Sequence, residues 1–159
     1  YYSLLKTNKN YAGMAVQYQT QDCSFRFSGR RKTTDWIRRT AKAEGHRTGD
    51  ITVVFCSDTA LLEINRRYLS HDYYTDIITF DYTDTEKKII SGDLMISIDT
   101  VRANAQTFGV PFENELARVI IHGVLHLLGY GDKTPEEEAH MHALEDKYLA
   151  IREAHDEGE

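Results

Sequence analysis

The chain has 159 residues, 41% of them hydrophobic and 28% charged, with a net charge of −6. That is enough chain for one domain with a real core. No apolar run approaches the roughly 20 residues that a membrane helix needs, and the acidic balance excludes a uniformly basic nucleic-acid binder.

The first 13 residues, YYSLLKTNKNYAG, lack the apolar centre and cleavage site of a signal peptide. Met14 directly precedes the strand-like AVQYQ, so residues 1–13 are expected to be a poorly ordered upstream extension and residues 14–152 a single domain. Residues 14–20 alternate weakly and predict a strand. Thr33 or Thr34 is expected to cap a helix to about Glu44, with Trp36, Ile37 and Ala41 at core spacing. Gly45 and Gly49 are expected to bound a turn before the β-branched strand Ile51–Cys56. Ser57 or Asp58 then caps a helix carrying Leu61, Leu62, Ile64 and Tyr68. Residues 75–82 predict a strand, 83–88 a turn and 92–98 a third strong strand, the pair forming a hairpin. A short helix over 100–108 ends at Gly109 and Pro111, and a longer one spans 112–128 with a buried stripe of Leu116, Val119, Ile120, Gly123, Val124 and Leu127. The last helix starts at Thr134, with Pro135 at its first position and Glu137 three residues after the cap, and runs to about Arg152. An acidic tail, 153–159, closes the chain. The order β-α-β-α-β-β-α-α-α predicts an α+β fold, one mixed sheet packed with helices.

The chemistry concentrates in His122-Gly-Val-Leu-His126-Leu-Leu-Gly129-Tyr-Gly-Asp132. Helical spacing of four puts His122 and His126 on one face, one turn apart. A pair alone is weak, because the chain holds seven histidines. Gly129 adds a residue suited to a left-handed helix end, and Asp132 an oxygen ligand beyond the turn. Two imidazoles and a carboxylate leave a coordination position open, the arrangement of a catalytic zinc site. Residue 123 is Gly where zinc peptidases carry their Glu base, so the pattern points to the metal and away from peptidase chemistry.

Cys23 and Cys56 lie 33 residues apart and call for no oxidising compartment, which makes the cytoplasm the expected location. Basic residues cluster in Arg26, Arg30, Arg31, Lys32, Arg38, Arg39 and Lys42, with Asp35 alone among them. Such a face suits a polyanion or an ordinary solvated helix.

Several separated blocks carry a family resemblance: Asn65 with Tyr68, Asp72-Tyr-Tyr-Thr-Asp-Ile-Ile-Thr-Phe80, Gly92-Asp-Leu-Met-Ile-Ser97 and the segment His122–Asp132. Over about residues 14–152 the sequence resembles the bacterial YbeY family of zinc-dependent endoribonucleases. The resemblance implies a similar α+β fold, one zinc ion per chain on His122, His126 and Asp132, and cleavage of single-stranded RNA. It further implies 16S rRNA 3′-end maturation and ribosome quality control. The implied partners are ribosomal RNA and the small ribosomal subunit with its proteins, with no membrane and no DNA. Two positions depart from the family pattern. Asp132 stands where the family usually has His, and Leu69 stands where it typically has Arg. Arg66, Arg67 and His71 are the nearby substitutes for that arginine, so His122, Arg66 and Arg67 form the expected catalytic set. Two other readings stay open at the level of sequence: a ribosome assembly factor whose metal is structural, and a different zinc hydrolase acting on a peptide or small molecule.

Overall fold

Two interior strands organise the molecule, and their apolar content explains why. In the computed structural model, which describes residues 14–71 and 75–157, β2 (Arg47–Cys56) and β4 (Ile89–Ser97) lie side by side at the centre of a four-stranded sheet. The strands β1 (Val16–Gln21) and β3 (Ile77–Asp81) form its edges, giving the order β1-β2-β4-β3. β1 runs parallel to β2, β2 parallel to β4, and β3 antiparallel to β4. Strands covered on both faces read as continuous apolar runs. In β2, Ile51, Val53 and Phe55 belong to one core while Val54 and Cys56 belong to another, as a two-residue period requires.

The larger core lies between one sheet face and three helices, α1 (Arg30–Ala43), α4 (Phe112–Leu127) and α5 (Pro135–Glu157), and includes Trp36, Leu94, Ile120, Val124, Met141 and Tyr148. The smaller core lies under α2 (Asp58–Leu69), where Leu61 and Ile64 meet Val54, Ile78 and Met95. α3 (Ile98–Phe108) leads from β4 towards α4. Asp58 ties the starts of α2 and α3 together. Its carboxylate accepts hydrogen bonds from Ser97 and from Thr100 Oγ1, the latter at 2.5 Å, and its N–H donates to Asp99 Oδ2 at 2.9 Å. No helix among the described residues is long and apolar enough to cross a membrane.

The element order is the one the sequence predicts, with its mixed sheet and its β3–β4 hairpin. The differences fall at the ends. α1 begins at Arg30 with Gly29 at the cap, and Thr33 is buried within the first turns instead of capping them. Gly49 lies inside β2, beside a register irregularity between Thr48 and Ile51, and does not end a turn. A Cβ there would come within 2.4 Å of Ser91 Oγ, so the glycine permits close strand approach. β3 starts two residues later than predicted, at Ile77, and Ile98 opens α3 instead of closing β4, with Ser97 Oγ accepting from Thr100 N at 3.1 Å. The expected extension 1–13, the motif residues Asp72, Tyr73 and Tyr74, and the last two residues of the acidic tail lie outside the described residues.

Candidate metal centre

α4 is apolar almost all round, which is why it sits inside the molecule instead of on it. Leu116, Val119, Ile120, Val124 and Leu127 form the stripe predicted for it, and Ala117, Ile121 and Leu125 are buried as well. The histidines occupy the remaining face, near the C-terminal end, where each ring is half-buried. Gly123 lies between them and against the sheet. A Cβ at this residue would stand 2.8 Å from Ile77 Cδ1 and 2.9 Å from Leu94 Cδ2. The helix can approach β3 and β4 only because nothing is there. The place a zinc peptidase gives to its glutamate is here filled by sheet side chains.

After Leu128 the chain reverses through Gly129, whose φ of +100° is open to glycine and strained for other residues. The turn has two consequences. It brings the Tyr130 carbonyl to His126 Nδ1, which donates to it at 2.9 Å. It also carries Asp132 back over the two rings. His122 Nε2 and His126 Nε2 are 3.0 Å apart, and Asp132 Oδ2 is 3.3 Å from each. Ligands about 2.0–2.1 Å from a tetrahedral zinc ion are separated by about 3.3 Å. The triangle therefore has the size of one face of that tetrahedron, and these three residues could hold a metal ion.

The orientation of His122 is fixed from α5. Glu145 Oε2 accepts from His122 Nδ1 at 2.8 Å, and Glu145 Oε1 accepts from Arg118 Nη1 at 2.9 Å. Arg118 also donates to Asp146 Oδ1 at 2.6 Å. With both Nδ1 protons donated, both Nε2 lone pairs face the same point. Burial alone would raise the Glu145 carboxyl, but the hydrogen bonds from His122 and Arg118 outweigh it and hold its pKa below the ordinary range. Burial pushes His122 down, while the Glu145 hydrogen bond and the charges of Glu145, Asp76 and Asp132 push it up, and the net direction is up. The site thus favours positive charge at His122, whether a proton or a metal supplies it.

The triad opens on a cleft of about 470 Å³. One wall comes from the end of α2 and the residues after it, with Asn65, Leu69 and His71, and another from the β3 edge, with Asp76 and Thr79. Burial raises the Asp76 carboxyl above its usual range. Of the residues the sequence singled out, the structure brings together His122, His126 and Asp132. Arg66 and Arg67 lie outside that group, exposed on the last turn of α2. On α5, His140 lies edge-on to Tyr130, and His142 Nδ1 is 3.4 Å from Glu145 Oε1.

Glu145 is the residue that sequence reasoning missed. A signal existed. Met141, Leu144 and Tyr148 mark the buried stripe of α5, and Glu145 falls on that stripe, only 2% exposed. A carboxylate on an apolar stripe implies a buried partner.

The sequence profile of the endoribonuclease YbeY family matches residues 15–152. The chain belongs to the endoribonuclease YbeY family. The YbeY of Bacteroides thetaiotaomicron is 52% identical over 139 residues, covering 87% of this chain and 100% of the relative. The YbeY of Bacteroides fragilis is 50% identical over 139 residues, covering 87% and 99%. The solution structure of TM1509 from Thermotoga maritima superposes with a TM-score of 0.61 at 25% identity, covering 91% of this chain and 93% of that one. The overall fold is thus shared with that solved structure.

Proposed function

We propose that the chain is a zinc-dependent, single-strand-specific endoribonuclease of the cytoplasm, acting in 16S rRNA 3′-end maturation and ribosome quality control beside the small ribosomal subunit. The single observation that carries the metal-dependent part is the triangle of His122 Nε2, His126 Nε2 and Asp132 Oδ2, with sides of 3.0 to 3.3 Å, at the end of an open cleft. Two imidazoles favour zinc over magnesium, which prefers oxygen ligands. A zinc ion there supplies Lewis acidity towards a phosphoryl oxygen and makes water more acidic near neutral pH.

The chain's own residues do the rest. Glu145 and the Tyr130 carbonyl hold the two imidazoles in the ligating tautomer. Asn65, Leu69 and His71 face the β3 edge across the cleft, and a strand of RNA laid between them would meet the metal triad. Arg66 lies three residues before Leu69 and so on nearly the same helix face. We assign Arg66 and Arg67 the charge that the family arginine supplies at position 69, offered to a phosphate at the rim of the cleft.

Cleavage of a labelled single-stranded RNA should stop on chelation and return when zinc is added back. Cleavage that persists in fully chelated protein would sink the metal-dependent reading. Replacing Arg66 and Arg67 with Ala should lower turnover more than RNA binding, and a pure binding defect would remove both from the catalytic set.

A further inference from the structure

A trough runs along the outer edge of β1, at the end of the sheet opposite the cleft. It consists of two adjoining grooves of about 590 and 220 Å³ that share Tyr18, Gln19 and Arg30. Arg31 and Arg38 line the first, and Arg26 with Phe25 and Phe27 the second. Asp35 is the one carboxylate among the lining residues.

Unlike Arg118, Arg102 and Arg152, these four arginines are uncommitted, and they share one groove. Arg118 is tied to Glu145 and Asp146, Arg102 lies over the Phe112 ring and Arg152 over Trp36. Among the described residues, Arg26, Arg30, Arg31 and Arg38 make no ion pair with a carboxylate and cover no ring. Four free guanidinium groups lining one continuous groove, in a chain of net charge −6, create a local positive field that the overall charge opposes. Guanidinium groups pair with phosphate oxygens in fork geometry. Half-buried aromatic rings at one end of a basic groove add a surface on which a base can stack.

We infer that this trough is a second RNA-binding surface, which takes the phosphate backbone of a single-stranded segment flanking the one in the cleft. The inference rests on the endoribonuclease reading for its choice of polyanion. β1 and β3 are opposite edges of the sheet, three strand spacings apart, so the trough and the cleft are separated by more than about 14 Å. A short RNA can therefore occupy the cleft alone, and only a longer one reaches both. An acidic peptide adding to the β1 edge would also meet the arginines. Strand addition draws its specificity from pockets for alternate side chains, whereas the walls here set four arginines against one carboxylate beside the rings of Tyr18, Phe25 and Phe27, a lining that suits phosphates and bases.

The test uses full-length, metal-loaded protein and two fluorescein-labelled unstructured RNAs, one of about six and one of about 20 nucleotides, bound at several salt concentrations. The wild type should bind the longer RNA at least about tenfold more tightly than the shorter. Arg30→Glu with Arg38→Glu should abolish that advantage and make the salt slope shallower by about 1.4, the loss of two phosphate contacts on a single strand. Metal content and cleavage of the short RNA should not change. Equal affinity and equal slope for the long RNA in both proteins would overturn the inference, and so would an equal loss for both RNAs. A glutamate-rich peptide that displaces the long RNA at matched charge would assign the trough to a protein partner and also overturn it. Should circular dichroism show the double glutamate variant unfolded, Arg30→Gln with Arg38→Gln removes the charge without reversing it, and the same loss of slope is expected. If the wild type cleaves neither RNA yet binds the long one through these arginines, the cleavage reading fails and the trough stands.

Discussion

At the scale of single residues, the Glu145 carboxylate accepts one hydrogen bond from a candidate metal ligand and another from Arg118. Removing its charge should therefore be felt at the metal before it is felt in the fold. For Glu145→Gln we expect metal affinity to fall by about 10- to 100-fold, read by competition with a chromophoric chelator, because the second partner of a ligating histidine sets its basicity and orientation. Unchanged affinity would show that the contact is incidental. Asp132 offers a different test. Its side chain is 39% exposed on a turn, which leaves room for an imidazole. Asp132→His should keep its metal, since zinc accepts nitrogen and oxygen donors at similar distances. A folded but metal-free variant would mean that the turn cannot aim a longer side chain. The grouping of the three candidate ligands was legible in the sequence because all lie within one helix and its exit turn, where spacing is geometry. Glu145 was not. It reaches His122 from another helix, and it stands in a chain segment whose other acids, such as Glu136 and Glu138, are exposed.

Among the elements, α4 shows how packing limits chemistry. Gly123 rests on Ile77 and Leu94, so Gly123→Glu would force a carboxylate into an apolar contact. The expected result is a loss of several kcal/mol of stability, of the order known for an unpaired charge in a core, and no gain of peptidase activity. Urea unfolding measures the first and a casein assay the second. A stable variant would mean that the helix can lift from the sheet. The same scale shows what patterns in a sequence capture and what they leave out. Strand β2 was plain from its β-branched run, whereas β4 begins at Ile89, three residues before the predicted start, and Thr134 caps α5 as its position suggested, accepting from Glu137 N at 3.1 Å. The start of α1 was misplaced because Thr33 looks like a cap. In the structure Thr33 is 4% exposed, and the helix extends upstream to Gly29, which carries no capping side chain. Tertiary packing decided that boundary. The contact from Trp36 Nε1 to the Tyr148 carbonyl, 2.8 Å long and 112 residues apart in sequence, is of the same kind and has no local signature.

For the whole molecule, the sheet separates two surfaces. The β3 edge and the end of α2 frame a cleft that ends on His122, His126 and Asp132, while the β1 edge carries uncommitted arginines. The motif blocks along the chain converge on the first surface. Gly92–Ser97 supplies a central strand, and Asp76 and Thr79 supply a wall of the cleft. The arrangement has chemical sense only if the triad holds a metal. Elemental analysis of protein purified without added metal, set beside the His126→Ala variant, tests this most directly. About one equivalent of zinc per wild-type chain is predicted, with most of it lost in a variant that still shows native circular dichroism. A folded His126→Ala protein that keeps its full complement of metal would contradict the account.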